Sequence, residues 1–143
     1  EKIADSILKT RHYDQLSLIM LDGITFAGLN LVDINKLRTA TEIPVIVVQR
    51  DSPDMKKFLL AMKRVNNYEK RVKIVKAAGK IYRWKEVYYQ KSGLTNKECE
   101  EILSLTCTRS KVPEPIRVAH LIASGLSRQM QEGANSFESK GGA

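Results

Sequence analysis

An α/β domain with a largely parallel sheet covered on both faces is the fold class this sequence predicts. Two observations carry it. Strand-like and helix-like segments alternate along the chain. The two clearest strands, Leu16–Leu21 and Val45–Val48, are apolar almost throughout, as strands buried on both faces are.

The elements follow in order. Residues 2–10 read as a helix on a weak stripe of Ile3, Ile7 and Leu8. Leu16–Leu21 is a buried strand that stops at Asp22-Gly23. Val32 to Ala40 forms a short helix that starts near Asp33 and closes before Pro44. Val45-Ile46-Val47-Val48 is β-branched throughout and is entered through Pro44. Ser52 then reads as the N-cap of a helix, with Pro53 at its first position. Met55, Phe58, Leu59, Met62 and Val65 follow helical spacing along it. A further helix covers 67–78 and ends at Gly79. Ile81–Trp84 and Val87–Tyr89 are short strand material. Thr95-Asn96-Lys97-Glu98 fits a capping box, with Cys99, Ile102, Leu103 and Thr106 on one face of the helix it opens. Pro113-Glu114-Pro115 opens a last helix that runs to about Met130. Residues 1–131 are thus expected to form one domain, and 132–143 a flexible polar tail.

Composition narrows the function classes. At 143 residues, 43% hydrophobic and 28% charged, the chain has enough apolar material for a core and is not of disordered type. Its longest apolar runs are far short of a membrane span. Two cysteines are too few for a disulfide scaffold, so a reducing, cytoplasmic setting is expected. The formal charge is +8, and residues 50–91 hold 13 basic and 4 acidic side chains. One central block therefore carries the whole excess. Such a block favours polyanions, nucleic acid first. A solvated lysine-rich helix face explains it equally.

In open parallel sheets ligands bind beyond the carboxyl ends of the strands. That rule selects Asp22, Gln49-Arg50-Asp51 and Gln90-Lys91-Ser92. If the strands are parallel neighbours, these groups share one edge. Asp22, a carboxylate ending a buried strand, suits magnesium, which takes few carboxylates and keeps several waters. As a turn residue it would instead cap local N–H groups. Arg50 or Lys91, with Ser92 beside it, could hold a phosphate. Arg109, Lys111 and Arg117 surround the start of the last helix, whose unpaired N–H groups attract anions. The alternative there is that Glu114 complements the dipole and pairs with Arg117. His120 lies within an apolar helical run and reads as a satisfied, partly buried side chain; His12 reads as surface. Cys99 reads as core. Tyr82, Trp84, Tyr88 and Tyr89 interleave with Arg83 and Lys85 as on base-stacking surfaces, although strand alternation buries half of such rings. No C-x-x-C, H-E-x-x-H, G-x-S-x-G or Walker motif occurs, so zinc, serine-hydrolase and NTP-binding chemistry have no support.

Three segments together resemble a known family. They are Leu21–Gly28 (LDGITFAG), Pro44–Arg50 (PVIVVQR) and Pro113–His120 (PEPIRVAH). The resemblance, over roughly residues 1–130, is to the archaeal domain of unknown function 99, related to endonuclease V. It implies a three-layer, ribonuclease H-like fold and magnesium-dependent cleavage of strands near deaminated bases. Asp22 matches that enzyme's aspartate in an Asp-Gly turn and would be the metal ligand. Arg50 stands where the enzyme has a lysine and would be a catalytic residue, and Pro113–Arg117 matches its helix start. Leu94 replaces the histidine of its Ser-x-Gly-His turn, and His120 stands where an aspartate is frequent. The related proteins begin with antiparallel strands that supply a first catalytic aspartate. The chain is accordingly expected to be an N-terminally incomplete fragment lacking those strands.

Three functions follow as expectations. The first is a nucleic-acid-binding, endonuclease V-like protein with lost or altered catalysis. The second is an active magnesium-dependent phosphodiesterase. The third is a protein-interaction domain without catalysis.

Overall fold

The apolar run at residues 45–48 becomes the axis of the molecule. In the computed structural model, which describes residues 2–26 and 30–138, the chain forms α1 (Lys2–Leu8), β1 (Ile19–Asp22), β2 (Thr25–Phe26), β3 (Asn30–Leu31), α2 (Ile34–Thr41), β4 (Val45–Gln49), α3 (Met55–Met62), α4 (Tyr68–Ala77), β5 (Tyr82–Trp84), β6 (Val87–Ser92), α5 (Asn96–Thr106) and α6 (Glu114–Glu138). Four strands make an open sheet of order β1-β4-β6-β5, and β2 and β3 make a separate antiparallel ribbon.

Period-two alternation along β4 supplies both cores. Val45 and Val47 face one way, packing with Ile19, Leu21, Ile34, Leu37 and Val75 from β1, α2 and α4. Ile46 and Val48 face the other, against Val87, Tyr89, Cys99 and Leu103 from β6 and α5. Helices therefore cover both faces, as the continuous apolar runs predict.

The sheet is mixed, not mainly parallel. β1 pairs parallel with β4, Asp22 opposite Val48, whereas β6 pairs antiparallel with both β4 and β5. The reason lies in the link between β5 and β6. It is a two-residue hairpin turn, Lys85-Glu86, with Trp84 opposite Val87. Lys85 takes the left-handed conformation there (φ 49°). Turns of this kind favour Gly or Asn, and the absence of either hid the hairpin from the sequence.

Several ends fall where the sequence puts them. Asp33 caps α2, its Oδ1 accepting from the N–H groups of Asn35 and Lys36. The capping box at Thr95 is complete on both sides. Gly79, at φ 80°, follows α4. Others move. α3 is capped by Asp54, which accepts from Lys56 and Lys57 at 3.1 and 3.0 Å, not by Ser52. α6 stays helical to Glu138, past the predicted end near Met130, so the first part of the expected tail is helix. Residues 139–143 of that tail lie outside the described residues, as do Ala27 and Gly28 of the first family segment. Among the described residues no helix is long and apolar enough to cross a membrane.

Candidate functional site

Parallel pairing of β1 and β4 brings their carboxyl ends together. The N–H of Gly23 donates to the Val48 carbonyl at 3.1 Å, which ties the Asp22 turn to the strand that leads into Arg50. Gly23 has φ 77°, a conformation open to glycine without strain. Asp22 and Arg50 are both exposed at this rim, and no ion pair between them is found among the described residues.

A cleft of about 600 Å³ opens beside Arg50 on the α5–α6 face of the sheet. Arg50 and Asp51 form one side. Glu86, from the β5–β6 turn, and Lys111 and Arg117, from the start of α6, form the others. A second depression of about 390 Å³ shares Glu86 and Lys111 and extends the cleft past Arg109 to Lys85 and Trp84. Cations outnumber carboxylates along its length.

The charges here are not equally available. Lys111 Nζ lies 2.8 Å from Glu86 Oε1, but both side chains are well exposed, so the pair is weak and a phosphate can compete for the ammonium. Arg117 donates from Nε and Nη2 to Glu114 at 3.0 and 2.8 Å. This is the helix-start pairing named above as the alternative to phosphate binding. Those hydrogen bonds, with the charges of Arg117 and Arg109, hold the Glu114 carboxyl below the usual carboxylate range. Arg117 keeps its remaining guanidinium N–H groups for another acceptor.

Lys91 and Ser92 do not join this site. Because β6 runs antiparallel, Ser92 stands opposite Val45, at the far end of β4 from Arg50. Lys91 Nζ donates to the Leu94 carbonyl at 2.7 Å, and the buried Ser92 hydroxyl donates to Asn35 Oδ1 at 2.7 Å. Their polar atoms bind their own fold. The structure thus gathers Arg50, Arg109, Lys111 and Arg117, sets Asp22 at the neighbouring strand end, and places Lys91 and Ser92 elsewhere.

Sequence reasoning missed Lys85 and Glu86 as part of the cleft. Only the hairpin brings them there, and the sequence carries no signal for it. Strand alternation predicts that half of the four rings are buried; three of them join the core instead, Tyr82 and Trp84 packing partly around Tyr89, with Tyr82 stacked on Tyr89 at 5.4 Å. Cys99 is fully buried, and burial pushes its thiol up to about 11. His12 is exposed as expected. His120 is exposed rather than partly buried, because α6 turns Val118, Leu121, Ile122 and Leu126 outward as well.

The magnesium expectation meets a sparse donor set. Among the described residues, no three His, Cys, Asp or Glu side chains cluster so that they could hold a metal ion. Asp22 offers a single carboxylate, and one carboxylate holds magnesium weakly unless waters and a substrate phosphate complete the shell.

Comparison with known proteins fits the resemblance. The family model described as Endonuclease dU matches residues 1–127. The UPF0215 protein of Methanosarcina mazei is 46% identical over 133 residues, 89% of this chain and 68% of its own length. That of Archaeoglobus fulgidus is 41% identical over 126 residues, covering 88% of this chain and 70% of its own. A crystal structure of a protein of unknown function from Archaeoglobus fulgidus superposes with a TM-score of 0.84 at 42% identity, over 87% of this chain and 72% of that one.

Proposed function

Since the chain belongs to the endonuclease dU family, we propose that it is a nucleic-acid-binding, ribonuclease H-like protein related to endonuclease V, with lost or altered catalysis. The observation that carries this reading is the convergence of Arg50, Lys111 and Arg117 on one open cleft at the carboxyl ends of β1 and β4. That is where α/β sheets take ligands. Arginine forks and an exposed lysine suit phosphate oxygens. Lys85 and Trp84 extend the cleft toward a cation and a ring, the pairing that tracks a single strand. The central basic block adds long-range attraction for a polyanion.

Salt separates this reading from an incidental surface charge. Fluorescence anisotropy with a labelled single-stranded oligonucleotide is expected to give a slope of about −2 in log affinity against log salt, if about three phosphates are contacted. Arg50→Ala should flatten the slope by about 0.7 and leave the melting temperature unchanged, since Arg50 is exposed. No binding at low salt would remove the proposal.

Phosphodiester hydrolysis is the second reading, and the placement of Asp22 at the strand end beside Arg50 favours it. It needs further carboxylates, beyond the cluster-free set of described residues. Incubation of a deoxyuridine-containing strand with manganese, using wild type and Asp22→Ala, decides it. Cleavage lost in the variant supports the reading; equal cleavage or none removes it. The exposed apolar side of α6 suits a protein contact, but the basic cleft ranks nucleic acid first.

A further inference from the structure

The net charge of the chain sits on one helical pair. Residues 56–80 hold 9 Lys and Arg against one acid, Glu69, while the whole chain holds 24 against 16, so the rest balances at 15 of each sign. This stretch is α3, the link after it, and α4. The pair lies on the face of the sheet away from the cleft, with Met55, Phe58 and Val75 turned to the core of Val45 and Val47. Met62 and Val75 are buried, and Asn35 Nδ2 donates to the Ala77 carbonyl, which fixes α4 to α2. The pair is thus firmly seated, while Lys56, Lys63, Arg64, Lys70, Lys73 and Lys76 are exposed on its outer side.

A helix face that serves only solvation mixes both signs. This one works against its own helices. Lys70, Lys73 and Lys76 follow one another at three-residue steps along α4. They fall within an arc of about 120°, opposite Val75, in a row about 9 Å long. Like charges at this spacing repel and weaken a helix. Lys56 and Lys57 stand in the first turn of α3, and Lys70 and Arg71 in that of α4, where the helix dipole disfavours cations. Lys57 has a carboxylate partner, Asp54 at 3.6 Å; among the described residues Lys56, Lys63, Arg64 and the α4 row have none. By contrast, α5 sets Glu98, Glu100 and Glu101 beside Lys97. A polyanion laid along the pair relieves each of these repulsions.

We infer that α3 and α4 form a second nucleic-acid surface, separate from the cleft, which grips the phosphate backbone of a duplex flanking the single strand that the cleft holds. The form of the surface selects the partner. Single strands are held by cations together with exposed rings, and the cleft has both in Lys85 and Trp84. On α3 and α4 the rings, Phe58 and Tyr68, are half-buried, and a rigid row of cations remains. Such a row suits a duplex, which carries a charge about every 1.7 Å of its axis and offers its phosphates without unstacking. A lipid surface fits less well. Interfacial helices turn an apolar face to the lipid, whereas here that face is spent on the core and Leu60 is the large apolar side chain left exposed. The two surfaces meet at one edge, since Asp54, the cap of α3, follows Arg50 by four residues. A strand that leaves the duplex therefore passes round the carboxyl end of β4 into the cleft.

The inference rests on the nucleic-acid reading, and one experiment tells the two apart. Anisotropy is measured over a range of salt with a labelled single strand, a blunt duplex, and the same duplex with a single-stranded overhang. The proteins are wild type, Arg50→Ala, and the triple variant Lys70→Gln, Lys73→Gln, Lys76→Gln. Wild type is expected to bind the overhang duplex at least about tenfold more tightly than either simple probe, because two linked grips act together. The triple variant should flatten the salt slope for the blunt duplex by about 2.7 and leave the single-strand slope unaltered. Arg50→Ala should do the opposite. The triple variant should melt no lower than wild type, since it removes repulsion. Should it melt lower, Lys63→Gln with Arg64→Gln, in the link between the helices, gives the second readout, a duplex slope flatter by about 1.8. Duplex binding that depends on these lysines, without single-strand binding, supports the helical surface and removes the cleft reading. Single-strand binding with no affinity for duplex at low salt, or a triple variant that weakens both probes alike, overturns the helical surface and leaves the cleft reading intact. Lysine-dependent sedimentation with phosphatidylserine vesicles that exceeds duplex binding at the same salt also overturns it, in favour of a lipid surface.

Discussion

The two ends of β4 carry similar polar side chains and treat them oppositely. At the Val45 end, Ser92 binds Asn35 Oδ1, Asn35 Nδ2 donates to the Ala77 carbonyl at 2.6 Å, and Lys91 binds the Leu94 carbonyl. These bonds tie β6 to α2 and to the turn that follows it, and α2 to α4. At the Gln49 end, Arg50 is exposed, the Gln49 side chain has no hydrogen-bond partner among the described residues, and Lys111 is held by a solvated pair. A cationic or hydroxyl side chain at a strand end is therefore not evidence for a ligand until its own bonds are known. Polar atoms left over by the fold mark the candidate site; polar atoms used by it mark structure.

Perturbing what both ends share should produce the largest effect. Ile46, the second residue of β4, is fully buried. Ile46→Ala is expected to cost about 2–5 kcal/mol, read by denaturant unfolding, and to lower oligonucleotide binding only through loss of folded protein. Binding per folded molecule that falls sharply would mean that the rim is more strained than the geometry indicates.

Gly93, at the far end, should give the next largest effect. It has φ 80°, and a Cβ there would come within 2.6 Å of Arg38 Nε. Gly93→Ala is expected to destabilise by about 1–3 kcal/mol, with the salt slope of binding unchanged. Arg50→Ala should do the reverse. If both variants shifted stability and binding together, the contrast between the two ends would fail.

The same contrast explains what the sequence could show. β1 and β4 were legible because burial on both faces leaves an uninterrupted apolar signature. α2 and α5 were legible because Asp33 and Thr95 satisfy helix N–H groups by local geometry, which needs no knowledge of the rest of the fold. The direction of β6 depends on the turn at Lys85-Glu86, where a lysine adopts a conformation that its chemistry does not favour. With β6 read as parallel, Lys91 and Ser92 fall at the wrong end, and Lys85 and Glu86 drop out of the cleft. The cap of α3 was misplaced by two residues because Ser52-Pro53 and Asp54 both offer valid starts, and only Asp54 presents its carboxylate to two N–H groups. The exposure of Val118, Leu121 and Ile122 was invisible for another reason. Helical periodicity identifies an apolar face and says nothing about whether this stretch of chain covers it.

The smallest effect belongs to the bidentate carboxylate–guanidinium pair at the near end, Glu114 with Arg117. Glu114 has a carboxyl held below its ordinary 4.5 by hydrogen bonds from Arg117. With a depressed folded value, the stabilisation is present above the unfolded value and fades as pH falls through the lower, folded one. Thermal melts from pH 6 to pH 3 should therefore show a slightly steeper loss for wild type than for Glu114→Gln, whose amide does not titrate. At neutral pH the same substitution takes the negative charge off the Arg117 guanidinium. If the near end is a phosphate site restrained by its own acid, Glu114→Gln binds single strands more tightly while melting slightly lower. If Arg117 serves only to fix the start of α6, the variant melts lower and binds no better, and Arg117 joins Lys91 and Ser92 among the residues that hold the fold.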